Sequence, residues 1–121
     1  MLSQSQVVYN PQKIGIPNNK GTDYLSTEEI IYLESVNGCT KVVTIHGDIT
    51  SSYNLGRFKI VMEKYNFFQV HRSFIINLNH IRRYNTDGEI LLSNGQEIPI
   101  SRNVRDEFLL KFNKVSKTDI L

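Results

Sequence analysis

Apolar residues recur along this chain at two spacings, and the changes between them mark out short strands and two short helices. Ile30 to Val36 and Cys39 to His46 are rich in β-branched residues and flank Asn37-Gly38, which predicts a tight hairpin. Lys13 to Ile16 is predicted as an earlier strand, stopped by Pro17 and the turn-forming run Asn18-Asn19-Lys20-Gly21. Tyr24-Leu25 resumes a strand, and Ser26 or Thr27 is placed to cap one turn over Glu28-Glu29. Gly47-Asp48 turns the chain into a strand from Ile49 to Tyr53. The period then lengthens. Leu55, Phe58, Met62 and Tyr65, with Val61 beside them, form one helical stripe between an Asn54 cap and an Asn66 stop. Phe67 to Val70 returns to a strand. Ile81 to Tyr84, Glu89 to Leu92 and Glu97 to Ile100 are strands separated by turns at Asp87-Gly88 and Asn94-Gly95. A second helix begins after Ser101, with Val104, Phe108, Leu109, Phe112 and Val115 along one face. Hairpins dominate and βαβ units are missing, so the fold expected is mainly β, built from short antiparallel sheets with two short helices.

With 121 residues, 40% hydrophobic and 21% charged, the chain has the composition of one globular domain with a modest core. Residues 1–12 are polar and aperiodic and read as a tail or linker remnant. The domain is expected over 13–117, with a short tail at 118–121. No apolar run approaches the roughly 20 residues that span a bilayer. The polar start and the single cysteine, Cys39, suit a reducing cytoplasm and allow no internal disulfide.

Charge matters through its placement. The net charge is only +2, yet no acidic residue lies between His71 and Tyr84, where Arg72, Arg82 and Arg83 gather with His71 and His80. A surface that concentrates cations and planar donors suits a polyanion. The acidic first third argues against a broad basic face, so a nucleic-acid reader of this kind would place a few cations well.

Enzyme readings fare poorly. His46, His71, His80 and Cys39 lack the close spacing of a zinc site, no glycine loop is arranged to cradle phosphates, and no metal or cofactor is expected. His71 and Ser73 could share a strand face as a small hydrolase pair, but no glycine-rich elbow accompanies them. The binding reading is stronger. Arg72 follows a strand, Arg102 opens the last helix, and Asn37 to Lys41 spans a tight turn, all positions where side chains project from a rigid β frame. Arg can donate two parallel hydrogen bonds to guanine. Asn77 and Asn79 read as turn-formers, and Phe74, Ile75 and Ile76 as packing anchors.

Tyr32-Leu33-Glu34-Ser35, then Phe68 through Ile81 with His71-Arg72-Ser73-Phe74-Ile75-Ile76-Asn77 at its centre, then Leu91 through Arg102 ending Ile98-Pro99-Ile100-Ser101-Arg102, resemble the LytTR DNA-binding domain. That is the output domain of LytR/AlgR/AgrA-type bacterial response regulators. The likeness runs from about Lys13 to Val115 in the family's order. It implies an elongated β fold whose loops enter successive major grooves on one side of double-stranded DNA, regulating transcription. The base-reading positions it implies are Thr40, Arg72 and Arg102. Asn37, Lys41, His71, Ser73 and Arg105 are the candidate backbone or supporting contacts. The resemblance further implies direct-repeat sites, two protomers on one site and an accompanying receiver domain. It implies no membrane, no small-molecule substrate and no catalysis. The rival reading is a protein-interaction module on the same scaffold without DNA binding.

Overall fold

The computed structural model describes residues 13–112 and 115. β1 (Lys13–Asn18) continues through Pro17 and pairs with β2 (Gly21–Ser26) across the two-residue loop Asn19-Lys20. Asn18 faces Gly21 at the turn, so alternate residues back along β1 bond to β2 and Pro17 falls between them. Its nitrogen therefore lies at the outer edge, where no donor is needed. This is why the proline does not stop the strand. The other shortfall was β2, which is six residues long where only its Tyr24-Leu25 pair was expected.

β3 (Ile30–Val36), β4 (Cys39–Thr44), β5 (Gly47–Ser51), β6 (Phe67–His71) and β7 (Phe74–Asn77) form one antiparallel sheet in the order β5-β4-β3-β7-β6. Asn37 (φ +52°) and Gly38 (φ +82°) make the predicted tight turn between β3 and β4, with both residues in the left-handed region. Asp87-Gly88 and Asn94-Gly95 instead lie in longer loops, where only the glycine has positive φ. β4 ends at Thr44 because the Thr44 hydroxyl accepts from the His46 amide and donates to the Gly47 carbonyl, closing the turn.

Each face of this sheet carries a core. On one face, Ile30, Leu33, Val42, Phe67 and Ile75 pack against Ile14 and Ile16 of β1 and against α1 (Leu55–Met62). Asn54 caps α1 by accepting the Arg57 amide at 3.0 Å, as its position predicts. Leu55, Phe58 and Met62 of the stripe are buried, Tyr65 is half-buried, and Val61 is exposed. Asn66 at φ +71° ends the segment. On the other face, Ile31, Tyr32, Val43, Phe68, Val70 and Ile76 pack against a three-stranded sheet, order β10-β9-β8. Its strands are β8 (Ile81–Tyr84), β9 (Glu89–Leu92) and β10 (Glu97–Pro99). A register shift between Ile30 and Tyr32 lets Ile31 and Tyr32, consecutive residues, both face this second core.

The second helix is shorter than expected. A 3-10 turn at Arg102–Val104 leads into α2 (Arg105–Leu109), and Ser101 makes no side-chain cap. Phe108 alone of the predicted stripe is fully buried; Leu109, Phe112 and Val115 are exposed. One turn of helix has little stability of its own. Phe108 holds it by packing on Phe68 and Tyr84 with ring centroids 6.2 and 5.8 Å away, a burial that contributes about 2–3 kcal/mol.

Candidate nucleic-acid interface

One bulge in the five-stranded sheet and one hydrogen bond beside it bring the candidate loops together. β6 and β7 pair in regular register up to Gln69 opposite Ile75, but His71 then faces Phe74. The extra residue, Val70, bulges, and a bulge re-aims the side chains beyond it. The displaced Val70 carbonyl accepts the Ser101 amide at 2.8 Å, which ties the start of the Arg102 segment to the strand that carries Arg72. On the other side of the β6–β7 turn, the Ser73 carbonyl accepts the Ser35 amide at 2.9 Å. That bond joins the turn to β3, two residues before the Asn37-Gly38 reversal. Three loops are thus stitched side by side at one end of the sheet. Arg72 and Arg102 are both exposed there.

Between the two arginine loops lies a shallow depression of about 380 Å³, lined by Phe68, Gln69, His71, Arg72, Ser101 and Asn103. Glu63 and Glu107 also reach it. Lys59 lines it too and pairs with Glu63 at 3.8 Å, so the hollow carries charges of both signs, with Arg72 in its wall. Gln69 and Asn103 were not singled out from the sequence. Their signal was positional: Gln69 alternates with the buried Phe68 and Val70, and Asn103 adjoins Arg102.

The remaining candidates divide. His71 and Ser73 sit in the Arg72 turn, and Asn37 is exposed at the tip of the neighbouring one. Thr40 is a correction. It is fully buried and its hydroxyl donates to the Tyr53 carbonyl at 2.8 Å, so it holds β4 to the segment after β5 and offers no group to a base. Thr40→Val should cost about 1–2 kcal/mol of stability by leaving that carbonyl unpaired. Base preference should not change; chemical denaturation beside a binding assay checks both. Lys41 lies across the strand pair from Glu34 and forms an ion pair with it at 3.3 Å. The Glu34 hydrogen bond holds its ammonium above the usual range, and the pairing leaves less charge for a phosphate. Arg105 is half-buried and leans on the β8–β9 loop, where a Cβ built on Gly88 would stand 2.9 Å from its Nη2. Only part of its side chain is therefore open to a ligand.

The hydrolase pairing also fails. His71 Nδ1 accepts from the Ser73 backbone amide at 3.1 Å and makes no bond to the serine hydroxyl. Among the described residues, no group of three His, Cys, Asp or Glu side chains converges to hold a metal.

A family model described as the LytTr DNA-binding domain matches residues 20–113. The chain belongs to the LytTr DNA-binding domain family. Its fold agrees with a solved LytTr DNA-binding domain from Bacillus cereus at a TM-score of 0.71 and 28% identity, covering 84% of this chain and 98% of that one. Among full-length relatives, the sensory transduction protein LytT of Bacillus cereus is 26% identical over 110 residues, 88% of this chain and 45% of that protein. The transcriptional regulatory protein LytR of Staphylococcus aureus is 27% identical over 88 residues, 69% of this chain and 36% of that protein. The chain spans less than half the length of these curated relatives. As a LytTr domain it is a DNA-binding module, with the mainly β fold that its hairpins predict. Its β1 and the first turn residue, Asn19, precede the range that the family model matches.

Proposed function

We propose that this LytTr domain binds double-stranded DNA in a sequence-specific way through Arg72 and Arg102, which read base edges in neighbouring grooves on one side of the duplex. The observation that carries the reading is the Ser101–Val70 hydrogen bond, which fixes the two exposed arginine loops to each other at one end of the sheet. Preorganised donors recognise a groove without the entropy cost of ordering two independent loops. Asn37 and Ser73 stand beside them for backbone contacts, with His71 in a supporting place, and the buried Thr40 is replaced at its loop by Asn37. The domain serves a cytoplasmic transcription regulator, its sites are direct repeats, and two protomers occupy one site.

An electrophoretic shift with promoter fragments at two salt concentrations tests this. Three or four phosphate contacts predict a roughly 40- to 150-fold loss of affinity between about 50 and 200 mM salt, with a sequence preference that survives. Binding insensitive to salt, or equal for all fragments, would contradict it.

A further inference from the structure

We propose that His71 is a positioning residue for Arg72: its imidazole closes the turn that presents the guanidinium, and it is not a phosphate contact. The inference rests on the reading of Arg72 as a base reader and assigns the group that keeps it in place.

The ring is half-buried, packs on Phe74 with centroids 5.8 Å apart, and uses Nδ1 to accept the Ser73 amide. That is a bond from a side chain to the backbone two residues on. The same kind of bond holds several other turns of this chain. Asn18 accepts from Lys20 at 3.0 Å, Asn77 from Asn79 at 2.9 Å, Asp87 from Glu89 at 3.0 Å and Asn94 from Gln96 at 3.1 Å. Those four use the short Asn or Asp side chain that the geometry favours. Only at the Arg72 turn does an imidazole take the part, and its packing on Phe74 adds an orientation that an amide lacks. The rest of the turn is held as well. Gln69 Nε2 reaches the Arg72 carbonyl at 3.5 Å, and the Ser73 carbonyl accepts from Ser35. With Nδ1 taken up by the Ser73 amide, only Nε2 of the ring is left to face a partner.

The two roles separate by experiment. Affinity is measured for the preferred DNA site and for the same site changed at the base pair where Arg72→Ala relaxes preference, at two salt concentrations. His71→Ala and His71→Gln should both lose that discrimination, because neither side chain closes the bond to residue 73. His71→Asn should restore it, because its carbonyl oxygen can accept the same amide. The salt slope should stay unchanged throughout. If His71→Ala fails to fold, the comparison of the Asn and Gln variants carries the test. A phosphate contact predicts the opposite pattern, with all three variants losing affinity alike on every sequence and a salt slope shallower by about one. That pattern, or discrimination intact in His71→Gln, overturns the inference. If Arg72→Ala itself leaves preference unchanged, the base-reading role of Arg72 falls first, and this role with it.

Discussion

Arg102→Ala and Arg72→Ala should each weaken binding to the preferred DNA site by about 1–3 kcal/mol and relax preference at one base position each. That corresponds to about 5- to 150-fold in Kd. Both side chains are exposed and both loops are braced, so alanine removes a contact and not a structural member. Stability should therefore move by no more than about 0.5 kcal/mol, the range of surface substitutions. The joint between the loops has a second consequence. Because the Ser101 amide is fixed to the Val70 carbonyl, losing one arginine should leave the other in register, and the two losses should relax separate positions. Titration of both variants against sites substituted one base at a time checks this. Two variants that bind and discriminate like the parent would remove the proposed contact surface.

Asn77→Ala should be the most destabilising single change outside the apolar cores, at about 3 kcal/mol. Asn77 is buried at the end of β7. Its amide donates to the Ile30 carbonyl at 2.8 Å and to the Thr27 carbonyl at 3.0 Å, while its oxygen accepts from Asn79. Truncation removes all three bonds at once and strips the buried Ile30 carbonyl of its side-chain donor, while the Thr27 carbonyl keeps only the Ile30 amide. For a domain of this size, the loss corresponds to a melting temperature lower by roughly 10–20 °C. His80 works in the same region, with its ring nitrogens against the Ser93 hydroxyl at 2.6 Å and the Glu28 carbonyl at 2.7 Å. These two side chains bind the approach to β3 to the chain between the sheets. Calorimetry on Asn77→Ala checks the claim, and a shift of only a few degrees would show the network to be slack.

What could be read from residue order alone follows from how much of each signal is local. The β3–β4 hairpin and α1 were legible because Asn37-Gly38, the Asn54 cap and the Leu55, Phe58, Met62 spacing act within a few residues. β7 was not recognised as a strand. Ile75 faces the α1 core and Ile76 the opposite one, so both faces are apolar and the alternation that marks a half-buried strand is erased. Pro17 looked like a stop because its outward register is set by the hairpin, not by its neighbours. In the last helix, the predicted stripe overran the folded turn because Phe108 finds a pocket in the second core and Leu109 and Phe112 do not. At the site, the exposed loop arginines were legible from position and composition. The burial of Thr40, the Glu34 pairing of Lys41 and the packing of Arg105 on Gly88 depend on residues brought close only by the fold.

The central claim is that two arginines on loops fixed to one another read one DNA duplex together. An unbiased selection from random double-stranded DNA, run in parallel with the parent domain, Arg72→Ala and Arg102→Ala, tests it most directly. The account predicts one recovered motif with two short blocks on the same side of the duplex, each arginine variant losing a different block. No enriched motif from the parent, or the same motif intact from both variants, would contradict it.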